Sequence, residues 1–200
     1  MTQRTIESAA TIGFRVKTGR AIAAVVAGPV LSPRLLERRE VQLWDPALPE
    51  TRAPYHAALE LAEAAGVEVV SRARQAIQRM ADRAVRELRS RLQEDGFELH
   101  GVGLVVGSDR DPGKLGNPHI RAHASEGRLF REVLETAAAA CDARSVILVE
   151  SEAYAQAAAA LGRSPDSLKE TLAQLGRTAG RPWGAEEKMA ALGAWVALAG

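Results

Sequence analysis

The stretch GNPHIRAHASEGRLF, residues 116–130, holds two histidines four apart and a glutamate three residues beyond the second. On a helix, a His-x-x-x-His pair places both imidazoles on one side. Two imidazoles and a carboxylate suit a divalent ion such as Zn²⁺ or Mn²⁺, so His119, His123 and Glu126 are candidate metal ligands. The same side continues through Phe130, Val133, Leu134 and Ala137, which predicts the histidines at the head of a core-facing stripe. The competing reading has them half-buried and hydrogen-bonded to the loop before the helix, and the sequence leaves both open.

That loop, GSDRDPGKLGN, is polar and glycine-rich. Arg110 and Lys114 stand beside the start of the next helix, where backbone amides favour phosphate. It departs from the G-x-x-x-x-G-K-[ST] pattern. It reads either as a surface loop or as the cradle of a nucleotide or small-molecule binding module. Asp109 closes the strand before it and Glu150 closes the following strand. Both are expected at the carboxyl edge of a sheet, where open α/β folds bind ligands. Asp109, His119, His123, Glu126 and Glu150 are therefore expected to converge, with Asp109 and Glu150 as candidate catalytic acids of a metal-dependent nuclease or phosphohydrolase. Arg72, Arg79, Arg83 and Arg86 lie opposite the apolar stripe of a long helix. They form either a row of phosphate contacts or a solvated face.

The elements that must position these groups follow from periodicity. Strands are predicted at 11–17, 21–27 and 35–44, joined by short turns as a meander. Helix follows over 54–94 with an interruption near Gly66. Next come a strand at 97–107, a helix at 118–140 capped by Asn117-Pro118, and a strand at 145–150. Helices then begin near Glu152 and Ser164, and the last spans 185–198. The order β-β-β-α-β-α-β-α predicts an α/β domain: a five-stranded mixed sheet with helices on both faces.

The bulk numbers exclude several classes. Lys plus Arg number 26 against 25 Asp plus Glu, for a net charge of +1, so any attraction to nucleic acid must come from local clustering. A single cysteine, Cys141, excludes an internal disulfide and a Cys-based zinc cluster. The longest uncharged run is too short to span a membrane, and the N-terminus lacks a signal-peptide pattern. The expectation is one cytoplasmic domain over 1–200, with 1–10 disordered or loosely packed. The apolar last helix, MAALGAWVALAG, is a candidate dimer seam.

In element order, and in GVGLVVGSDRDPGKLG and EEKMAALGAWVALA, the chain resembles the ribonuclease H-like superfamily, most closely its Holliday-junction resolvase branch. The resemblance covers roughly 11–198. It implies clustered carboxylates on the first strand, at the end of the fourth strand and in the last helix, holding two divalent cations, Mg²⁺ or Mn²⁺. The first strand, TIGFRVKTG, departs from that pattern, offering Gly13, Arg15 and Lys17 where an acid should stand. Asp109 approximates the second acid, and Glu186 and Glu187 occupy the last helix. The reading is a catalytically degenerate ribonuclease H-like domain that binds nucleic acid or a protein partner. A metal-dependent enzyme with a non-standard His/Asp/Glu site is the alternative.

Overall fold

The computed structural model describes residues 8–200. Five strands, β1 (Ser8–Lys17), β2 (Arg20–Ala27), β3 (Arg34–Gln42), β4 (Phe97–Val106) and β5 (Arg144–Val149), form one sheet in the order β3-β2-β1-β4-β5. The meander β1-β2-β3 is antiparallel, and β4 and β5 join parallel to β1. α1 (Pro54–Ala58), α2 (Glu63–Glu94) and α3 (Pro118–Ala139) cover one face; α4 (Ala153–Leu161), α5 (Pro165–Ala179) and α6 (Ala185–Ala199) cover the other. No helix among the described residues is long and apolar enough to cross a membrane.

β1 is the central strand, so both of its faces are covered. Ile12, Phe14 and Val16 enter the core beneath α2 and α3. The other face reads Thr11, Gly13, Arg15, Lys17. It lies under α6. Thr11 is fully buried and donates from Oγ1 to the Ala194 carbonyl at 2.7 Å, which satisfies a hydroxyl that would be costly to bury alone. A Cβ on Gly13 would overlap the carbonyl oxygen of Ala190 and the amide nitrogen of Ala194. A Cβ on Gly103 of β4 would overlap the carbonyl of Gly193. Here helix backbone rests directly on strand backbone, and only glycine permits that approach.

Several expectations need correction. The apolar residues of α6 do not lie bare as a seam: Met189 through Val196 are buried within this chain, and the Trp195 indole donates to the Val30 carbonyl at 2.8 Å. The helix break falls over 59–62 rather than at Gly66, which sits inside α2 with Ala58 packed against it. β3 ends two residues before Trp44. β1 begins at Ser8 and Ala10 is fully buried, so 8–10 belong to the sheet; the remainder of the stretch expected to be loose, 1–7, lies outside the described residues.

Candidate functional site

β1, β4 and β5 run parallel and end at the same edge of the sheet, where β2 begins. Arg15 reaches this edge from beneath α6. Its side chain is 1% exposed, and it donates to the carbonyls of Val16 at 2.9 Å and Val105 at 3.3 Å. Its remaining terminal nitrogen pairs with the carboxylate of Glu150, just past β5. Asp109, just past β4, pairs with Arg131 of α3. Glu186, in the first turn of α6, pairs with Arg20 at 2.9 Å and Lys17 at 3.6 Å. Each of these three carboxylates at the edge is thus held by a cation of the chain itself. A cleft of about 280 Å³ opens at this edge beside Glu150, lined by Arg15, Lys17, Ser108, Arg110, His123 and Glu150.

The charges leave a signature on Glu186. Burial pushes its carboxyl up. The hydrogen bond from Arg20 and the charges of Arg20, Lys17 and Arg15 outweigh that and hold it below the usual carboxylate range. A carboxyl depressed in the folded state stabilises above its unfolded value, about 4.3 for Glu. That contribution disappears as pH falls through the folded value. Replacing Arg20 by Ala should therefore destabilise the protein at neutral pH and progressively less in acid. Urea titrations of both proteins from pH 7 to pH 3 check this; a gap that widens on acidification would contradict it.

The histidines lie on the α2/α3 side of the same edge. Asn117 caps α3 by accepting from the amides of His119 and Ile120, and Pro118 opens the helix. Its first turn overhangs the sheet and burial begins only at Ala122. The His119 and His123 side chains are therefore exposed, not core-facing, and their rings make no hydrogen bond to the preceding loop among the described residues. Their Nε2 atoms lie 3.2 Å apart. Glu126, one turn on, is 1% exposed and turns away from them, accepting from the backbone N–H of His56 at 3.2 Å and from its Nδ1 at 2.8 Å. The expected five-residue convergence thus separates into an edge occupied by Arg15 and Glu150, an outlying Asp109–Arg131 pair, and a cluster of His56, His119 and His123 backed by Glu126.

His56 is the residue that sequence reasoning missed. It lies in the five-residue α1, 63 positions before His119, and packing of α1 on α3 alone unites them. Its chain neighbours offered only the helix start at Pro54.

The basic candidates are also placed. Arg110 and Lys114 are exposed in the loop before α3, where Asp111 accepts from the Gly113 amide to form a short 3-10 turn. On α2, Arg72 pairs with Glu50. Arg79, Arg83 and Arg86 are exposed on the outer face and make no ion pair among the described residues.

The strand order, the parallel edge and the two helical layers are those of the ribonuclease H-like fold. Among solved structures, the chain is similar to Thermus thermophilus RuvC in complex with a Holliday junction substrate, at 15% identity and a TM-score of 0.54, covering 94% of this chain and 91% of that one. A second Thermus thermophilus RuvC structure aligns at 15% identity and a TM-score of 0.53, covering 94% and 92%. No protein-family model matches the chain, and no curated protein does.

Proposed function

We propose that this chain is a ribonuclease H-like module that binds nucleic acid and has given up two-metal cleavage at the sheet edge. The observation that carries this reading is Arg15: a buried guanidinium, paired with Glu150, in the central strand where the fold's nucleases place an acid. A fixed positive charge repels a divalent ion from that spot, and the ion pair consumes the carboxylate that would hold it. Asp109 and Glu186 are likewise neutralised by Arg131, Arg20 and Lys17. Any divalent ion on this chain belongs on the histidine cluster instead.

Binding is assigned to the unpaired cations. Arg79, Arg83 and Arg86 present one row along α2, Arg110 lines the cleft, and Lys114 is exposed in the same loop. The solved neighbour bound to a Holliday junction makes a four-way junction the first substrate to try. Fluorescence anisotropy should show affinity for such DNA that falls steeply with salt, by about 0.9 logarithmic unit per phosphate contact for each tenfold rise in salt. The Arg79→Glu/Arg83→Glu variant should bind more weakly and with a shallower salt slope. No cleavage is expected with Mg²⁺ or Mn²⁺. Equal binding by the variant, or no binding by the parent at low salt, removes the nucleic-acid reading. Cleavage lost in Glu150→Gln removes the claim of lost chemistry.

A further inference from the structure

We infer that His56, His119 and His123 form a three-imidazole site for a borderline divalent transition metal, Zn²⁺ above all, with Glu126 as its outer carboxylate. The three ligand atoms all lie within 4.8 Å of one another. The Nε2 atoms of His119 and His123 are 3.2 Å apart, and two nitrogen ligands at about 2.05 Å from a tetrahedral ion stand about 3.3 Å apart. The rings meet edge to face, with centroids 4.3 to 4.8 Å from one another, so they surround a common point rather than stacking side by side.

The decisive detail is the third imidazole. Glu126 accepts at Nδ1 of His56; in the neutral ring that nitrogen carries the proton and Nε2 presents a bare lone pair. That Nε2 is buried and has no hydrogen-bond partner. A buried acceptor without a donor costs free energy, and a metal ion is a partner that the two facing histidines would help hold. Carboxylate, imidazole and metal in line is the usual way a protein fixes a histidine ligand. Glu126 is 1% exposed and both its partners are on His56; an ion on the far nitrogen supplies the positive charge that a buried carboxylate lacks.

Three protein ligands leave a fourth position free, the arrangement of reactive rather than purely structural zinc. His119 and His123 are exposed, so that position faces solvent. His123 also lines the cleft shared by Arg15, Lys17 and Arg110. The fourth ligand is therefore an exchangeable water, or an anion such as phosphate delivered through that cleft. Metal binding requires no nucleic acid, so this site stands or falls apart from the binding reading above.

The test uses the whole chain purified without a histidine tag, stripped with chelator and titrated with Co²⁺ and Zn²⁺. One equivalent of Co²⁺ should give the intense visible absorption of a four-coordinate ion, and one equivalent of Zn²⁺ should bleach it. Inorganic phosphate should shift the Co²⁺ spectrum; an unchanged spectrum would overturn the open position. His119→Ala and His123→Ala alter exposed side chains and should fold as the parent does while losing stoichiometric binding. Glu126→Gln should weaken binding about 10- to 100-fold, and His56→Ala, which leaves the α3 pair intact, should weaken it as well. No saturable binding by the parent, or undiminished binding by the His119→Ala/His123→Ala variant, sinks the site.

Discussion

Gly103→Ala is expected to leave little or no folded protein at ordinary temperature. The added methyl would overlap the carbonyl carbon and oxygen of Gly193, and even the Gly193 Cα would stand 2.8 Å away. All three obstacles are backbone, so no rotamer change clears them. α6 would have to lift off the sheet, opening space around Leu192 and Trp195, both fully buried. Overpacking a core costs about 1–3 kcal/mol where side chains can yield; here they cannot, and a loss of roughly 4 kcal/mol or more is expected. Gly13→Ala should behave alike, since its methyl would meet Ala190 and Ala194. Gly127→Ala is the contrasting case: this glycine sits within α3 with nothing near its absent Cβ, so helix propensity should raise stability by about 0.5–1 kcal/mol. Urea unfolding followed by circular dichroism separates the three. A Gly103→Ala protein as stable as its parent would mean that α6 does not lie on β4 as described.

The second large effect is expected at the Arg15–Glu150 pair. Glu150→Ala strands a guanidinium that is 1% exposed, leaving it the Val16 and Val105 carbonyls alone, with its Nε already unpartnered. Breaking a buried pair from one side costs about 3–5 kcal/mol. The partly exposed carboxylate softens the opposite change, because Glu150 at 43% exposure can hydrate once Arg15 is gone. Arg15→Met, close in volume and uncharged, should therefore cost much less than Glu150→Ala. Such an asymmetry distinguishes a buried cation with one essential counter-ion from an ordinary surface bridge worth under about 1 kcal/mol. If Glu150→Ala changes stability by no more than about 0.5 kcal/mol, the pair is not what holds Arg15 in place.

The architecture was legible because its signals are local. The apolar run AIAAVVA, the cap Asn117-Pro118 and the shift in period after Pro54 each announce an element without reference to the rest of the chain. Element order then restricts the sheet to few topologies. What was illegible depends on contacts between distant segments. Arg15 could be seen standing where an acid was expected, and Glu150 could be placed at the right edge, yet nothing in either segment says that they pair. The β1 row Thr11, Gly13, Arg15, Lys17 has the polarity of a wet face; only the docking of α6 makes it buried. Stripe periodicity assigned His119, His123 and Glu126 to one side of α3 but could not tell that the helix overhangs the sheet at its start, which separates an exposed pair from a buried carboxylate. His56, in a five-residue helix with no partner nearby in sequence, carried no signal that any periodicity could detect.

The tie between Thr11 and Ala194 spans 183 positions, and α6 supplies nearly all that covers its face of β1. During synthesis β1 emerges long before the helix that covers it. Until α6 is in place, that face of the sheet is uncovered, with Gly13 of β1 and Gly103 of β4 bare where the helix will rest. Long-range closure of this kind is slow, so the packing of this face locks only once α6 drops into place.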